Sequence, residues 1–206
     1  MLRIWGRISS INVQKVVWCA DELGLAYERL DVGGKFGRND TPEYLAMNPN
    51  GLVPVLDDDG FVLWESNAIV RYLCARERNT MLWPEEPRRR ADADRWMDWQ
   101  ATTFTPATRD AFWQLLRVPE PQRDHAAIEA SRVKSEKGAA ILEAHLAGRE
   151  YVCGESFCAA DIVVGAAAHR WLNMPLPRSA RPNMERWYAL LKSRPASRQV
   201  MHQALS

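Results

Sequence analysis

Asn48-Pro49-Asn50-Gly51-Leu52-Val53-Pro54-Val55-Leu56, followed shortly by Trp64-Glu65-Ser66-Asn67-Ala68-Ile69, is the stretch on which the fold turns. Pro54 opens an apolar run of strand character but cannot donate to a ladder. It reads either as an edge-strand proline or as a cis Val53–Pro54 bond, which costs only about 0.5–1 kcal/mol. In the cis form the Val53 N–H and C=O turn away from the sheet and can bind another backbone in strand-like fashion. Val53–Leu56 and Phe61–Trp64 flank the turn Asp57-Asp58-Asp59-Gly60, and two short apolar runs around Asp-Gly predict a hairpin. Helical periodicity then returns over Ser66–Arg76 through Ala68, Ile69, Tyr72 and Leu73.

Upstream, Leu2–Trp5 is a short apolar run ended by Gly6. Asn12 is a candidate cap for a helix to about Leu23, with Val13, Val16, Val17 and Ala20 on one face and Gly24 as the stop. Tyr27–Val32 reads as a second strand and Gly33–Asn39 as a loop. Thr41-Pro42-Glu43 then offers a cap, a proline at the first helical position and an early acid. The order βαβ, α, ββα predicts a small mixed sheet with helices packed on its faces. Asn79–Pro87 reads as a linker. Beyond it Arg88–Thr103, Ala126–Leu146, Ala159–Leu172 and Pro182–Leu191 read as helices, with Pro106 kinking or ending the first. The expected organisation is an α/β domain over residues 1–79, a linker over 80–87 and an all-α domain over 88–206.

Composition excludes several function classes. With 206 residues, 47% hydrophobic and 26% charged, the chain can bury a real core. A net charge of +1 gives no general attraction to nucleic acid or to an acidic membrane, so neither is expected as a partner. Cys19, Cys74, Cys153 and Cys158 form no CxxC pair and sit among apolar or small residues, which suits reduced thiols in the cytoplasm. The four histidines lack metal-site spacing and no glycine-rich phosphate loop follows a strand, so no metal is expected.

Glu65-Ser66 at a helix start suits recognition of both ends of an α-amino acid. The helix N-terminus and the Ser66 hydroxyl face a carboxylate, while Glu65 accepts from an ammonium group. Simple capping of the helix is the competing reading. Taken together, NPNG, VPVL and ESNAI resemble the N-terminal domain of the glutathione S-transferases, and the resemblance extends to the helical half and VCGESFCAADIVVG. It implies a thioredoxin-like fold in the first domain. Glutathione as co-substrate would be held by Val53 and Pro54 at its cysteinyl backbone and by Glu65 and Ser66 at its γ-glutamyl end. It further implies a homodimer, and attack by the glutathione thiolate on a small apolar electrophile. Glutathione-dependent reduction of a disulfide and a non-catalytic interaction role are the alternatives.

Ser9-Ser10-Ile11-Asn12-Val13-Gln14-Lys15-Val16 contains neither tyrosine nor cysteine at the loop after the first strand. It is similar to the serine-type phi and theta members, which places the thiol-activating hydroxyl on Ser10 with Asn12 assisting; Ser9 is the second candidate, and simple N-capping by Ser10 or Asn12 is the competing reading. A free thiol with a pKa near 8.5 is only ~3% thiolate at neutral pH. Lowering it to about 6.5 raises that roughly 25-fold, and the accompanying fall in nucleophilicity removes about eightfold. About a threefold gain remains, so positioning of the electrophile must supply much of the rate. Arg109, Phe112 and Trp113 are the expected contacts for that second substrate, Arg109 alternatively for the glycyl carboxylate of glutathione or for a surface ion pair. Trp96 and Trp99 share a helix face, with Trp96 turned inward. Two departures from the family pattern are Leu52, where a basic or amide side chain is common and Lys35 or Asn39 would compensate, and Cys158, a weak acceptor where a hydroxyl usually caps the helix above Asp161.

Overall fold

The computed structural model describes residues 1–205. Strand β1 (Leu2–Trp5) is followed by α1 (Ile11–Glu22), β2 (Tyr27–Leu30), α2 (Pro42–Met47), β3 (Val55–Asp58), β4 (Phe61–Trp64) and α3 (Ser66–Arg76). The sheet order is β2-β1-β3-β4. β1 and β2 run parallel with Ile4 beside Arg29, and β3 is antiparallel to both β1 and β4, with Leu56 between Ile4 and Leu63. Because Trp5 pairs with Val55 and Val55 with Trp64, β1 and β4 end where β3 begins. The N-termini of α1 and α3 therefore meet at one edge of the sheet. That meeting makes the site.

Local chemistry explains most boundaries. Gly24, at φ +66°, supplies the left-handed residue that ends α1. Thr41 caps α2 by accepting from the Tyr44 N–H, with Pro42 at the first helical position. The hairpin loop is only Asp59-Gly60, with φ of +50° and +94°, because Asp58 and Phe61 still pair. β3 starts at Val55 and not at Val53, since Pro54 has no N–H to give the ladder. α1 is entered from Ser10 and not from Asn12: Ser10 has extended backbone angles, and its carbonyl accepts the Gln14 N–H at 2.9 Å.

The helical part comprises α4 (Pro87–Trp99), α5 (Thr105–Arg117), α6 (His125–His145), α7 (Ala159–Asn173), α8 (Pro182–Ser193) and α9 (Arg198–Met201). α5 is the element missed at the sequence level. Instead of ending at Pro106, the chain widens into a π turn over Gln100–Phe104 and continues as α5. Pro106 then lies in the first turn of α5, where the wider preceding turn accommodates a residue without an N–H. No capping side chain announces that junction.

α7 is nearly all buried and packs against α1. A Cβ on Gly165 would lie 3.1 Å from the Trp18 ring and 2.6 Å from Leu191, so only glycine permits this approach. Asp161, fully buried, accepts from the Val152 N–H (2.9 Å), the Cys158 N–H (2.9 Å) and the Trp187 indole (2.8 Å). The carboxylate half of the cap is thus made despite Cys158. Glu22 on α1 accepts two hydrogen bonds of 2.7 Å from Arg194, tying the two parts together. The segment expected to be a linker is itself packed: Leu82, Trp83 and Pro84 are buried, and the Leu82 carbonyl accepts the Ala159 N–H.

Candidate active site

The Val53–Pro54 bond is cis. Neither the N–H nor the C=O of Val53 has a hydrogen-bond partner among the described residues, so a donor and an acceptor stand open on the cleft wall. Asn48 builds the loop that presents them. Buried to 2% exposure, it donates to the Leu52 carbonyl at 2.8 Å and accepts from the Asn50 N–H at 3.1 Å. The Tyr44 hydroxyl donates to the same Leu52 carbonyl.

Across the cleft lies the start of α3. Glu65 sits at φ +73° and ψ 107°, a conformation that costs a non-glycine residue about 1–3 kcal/mol and that tertiary packing must enforce. Its carboxylate makes no capping bond to its own helix. Among the described residues nothing accepts from the N–H groups of Ser66, Asn67 and Ala68. The capping reading of Glu65-Ser66 therefore gives way to an open helix N-terminus that favours an anion, beside a carboxylate that favours a cation. Asn12, Asn48, Val53, Pro54, Glu65 and Ser66 line one cleft.

Lys15, one turn into α1, went unnoticed among the sequence candidates. It is 2% exposed, and its ammonium lies 3.2 Å from Asn67 Oδ1 and 3.5 Å from Ser66 Oγ. Burial, then the charge of Arg170, pushes it down to about 7, against a smaller opposing pull from Glu65. Asn67 in turn donates to the Met97 carbonyl of α4 at 2.9 Å. The usable signal was a lysine inside an otherwise apolar helix face, Val13, Val16 and Val17.

Ser10 is half-buried and its hydroxyl makes no capping bond, which leaves it available. Ser9, by contrast, borders two neighbouring clefts between the β1–α1 loop and the helical part. Phe112 lines the smaller of these and Trp113, 59% exposed, the larger. Arg109 is exposed and is not among the lining residues of either, so the structure does not bring it to Phe112 and Trp113 there. Asn39 is committed to the Gly51 carbonyl at 2.8 Å, whereas Lys35 borders the larger cleft and Leu52 stays 65% exposed.

Trp96 is buried, as expected, and meets Trp99 edge to face at 5.0 Å. The cysteines are free thiols; Cys19 and Cys74 lie with sulfurs 3.6 Å apart, and hydrogen bonding to Cys74 with burial pushes the Cys19 thiol up. Among the described residues no group of three or more His, Cys, Asp or Glu side chains could hold a metal ion, and no helix is long and apolar enough to cross a membrane.

A mixed four-stranded sheet, a cis-proline loop opposite an uncapped helix start and a following helical domain define a class. Residues 1–75 match the family description "Glutathione S-transferase, N-terminal domain" and residues 126–190 match "Glutathione S-transferase, C-terminal domain". The chain belongs to the glutathione S-transferase family. It is 44% identical over 203 residues to glutathione S-transferase GstB of Escherichia coli, covering 98% of each chain. A theta-class glutathione S-transferase from Xanthomonas axonopodis pv. citri, solved with glutathione bound, superposes with a TM-score of 0.96 at 48% identity, covering 100% of this chain and 99% of that one. Glutathione transferase F7 of Populus trichocarpa follows at a TM-score of 0.87 and 26% identity, covering 98% of each.

Proposed function

We propose that this protein is a glutathione transferase in which Val53 and Pro54 hold the cysteinyl backbone of glutathione and Glu65 and Ser66 its γ-glutamyl end. One observation carries the reading: the unpaired Val53 backbone and the uncapped start of α3 face one cleft. The first offers a peptide-like donor and acceptor, the second both signs of charge. Residues 1–79 form the glutathione-binding unit, 80–87 the packed linker, and 88–206 the part that completes the electrophile's cleft. A homodimer fits the family.

The Ser10 hydroxyl, assisted by Asn12, donates to the glutathione sulfur and stabilises it as thiolate, the thiol proton leaving to solvent. The sulfur then attacks an electrophilic carbon; the S–C bond forms as the leaving group departs with its electron pair. Phe112 and Trp113 supply apolar contact for that substrate. Retention on immobilised glutathione, followed by paired assays with an aryl halide and a glutathione-coupled disulfide, tests the reading. Turnover of the aryl halide supports transfer. Turnover of the disulfide alone would assign reduction, and retention with neither activity would assign an interaction role.

A further inference from the structure

The open end of α3 borders two cavities. Asn12, Glu65 and Ser66 line both the narrow cleft at Val53 and Pro54 and a roomier one, about 460 Å³, between α1, α3 and the π turn after α4. Lys15 borders the second. Its polar partners are held in fixed roles. Asn67 Nδ2 donates to the Met97 carbonyl at 2.9 Å, which leaves Oδ1 as the atom that accepts from Lys15 Nζ at 3.2 Å. Lys15 Nζ also reaches Ser66 Oγ at 3.5 Å, and among the described residues the Ser66 hydroxyl donates to nothing. An ammonium has three N–H groups and no lone pair, so beside it Ser66 Oγ is the acceptor and the hydroxyl hydrogen is left for a ligand. A neutral amine has a lone pair, accepts that hydrogen and turns it inward.

The charges around Lys15 come from three other elements. Arg170 on α7 repels it and Glu65 at the entry to α3 attracts it. Arg71 on α3 and Asp98 on α4 border the same cavity but pair with each other at 2.8 Å, and Arg71 also pairs with Asp94. No carboxylate is hydrogen-bonded to Lys15. We propose that Lys15 is a positioning residue for the γ-glutamyl carboxylate of glutathione: as an ammonium it fixes Asn67 and turns the Ser66 hydroxyl hydrogen toward the ligand, so that carboxylate and proton bind together. This role rests on the transferase reading above and extends its Glu65–Ser66 grip inward to α1. Because burial holds free Lys15 at about 7, the proton is taken from solvent when the anion arrives above that pH. Below about pH 7 the ammonium is already present and affinity is at its maximum; as pH rises past that value affinity falls.

S-Methylglutathione, whose sulfur does not ionise, tests this free of the thiol. In calorimetric titrations the wild type should bind it about eightfold more weakly at pH 8 than at pH 6.5. Buffers of different ionisation enthalpy should show uptake of about one proton at pH 8. Lys15→Met should bind about tenfold more weakly than wild type at pH 6.5 and lose both the pH slope and the proton uptake. Titration of the ligand's own amine is common to both proteins and cancels. In a Ser66→Ala background the same substitution should cost much less, since Lys15 acts through that hydroxyl. The analogue with 4-aminobutyryl in place of γ-glutamyl lacks the α-carboxylate and should bind wild type and Lys15→Met alike. Wild-type binding without pH slope or proton uptake would overturn the proposal. So would a Lys15→Met variant that weakens both peptides equally, or additive effects of Lys15→Met and Ser66→Ala; each leaves the transferase reading standing. Failure of the wild type to bind S-methylglutathione at either pH would overturn both.

Discussion

Replacing Lys15 by methionine should stabilise the unliganded protein, because the wild type keeps an ammonium in a site with no carboxylate hydrogen-bonded to it. Lys15 falls from an ordinary 10.5 to about 7, chiefly through burial. Between these values the unfolded chain holds a proton that the folded chain has released, so folding is penalised there and wild-type stability rises with pH. Below about pH 7 the penalty is complete, and above about pH 10.5 it has vanished. At about 1.36 kcal/mol per pKa unit the full penalty is about 5 kcal/mol. Loss of the 3.2 Å hydrogen bond to Asn67 returns about 1 kcal/mol, and methionine refills most of the volume. A net gain of about 3–4 kcal/mol near pH 7 corresponds to a Tm rise of about 10 °C in a chain of this size. Urea unfolding at pH 7 and at pH 9.5, without glutathione, measures it. The variant's advantage should shrink at the higher pH. A variant no more stable than wild type at pH 7, or one with the same advantage at both, would refute the reasoning. The same substitution should weaken glutathione binding, since Lys15 supports Ser66 and Asn67.

Ser66→Ala removes a hydroxyl at the open end of α3 while leaving its N–H groups, so calorimetry should find glutathione bound about tenfold more weakly. Ser10→Ala should raise the pH inflection of kcat/KM by about one unit, read alongside the ultraviolet absorbance of bound thiolate; an unmoved inflection would shift the role to Ser9. Asp161→Ala strands three buried donors and should cost about 4–6 kcal/mol in urea unfolding, with circular dichroism as readout. Asp161→Asn should lose less, because one oxygen still serves Val152 and Trp187, and a loss as large as that of the alanine variant would contradict the bonding described.

Much of the candidate site's geometry was legible because it is written in backbone chemistry. A proline at a strand start, an Asp-Gly loop, a Thr-Pro helix entry and a Glu-Ser helix start each restrict φ and ψ locally, and Ser66–Arg76 emerged with its bounds unchanged. Where such signals were lacking the reading failed. α5 starts from a π turn with no cap to mark it, and of the two candidate caps for α1, Ser10 and Asn12, it is Ser10 that opens the helix. Tertiary structure alone settled the charges. Lys15 is buried because α3 covers its face of α1, where Ser66 and Asn67 meet its ammonium. Arg7, Arg117 and Arg170 converge from three distant parts of the chain. Local sequence determines which turn or cap a segment adopts; whether a charge ends in water or beside another charge depends on which elements pack together, and no periodicity encodes that.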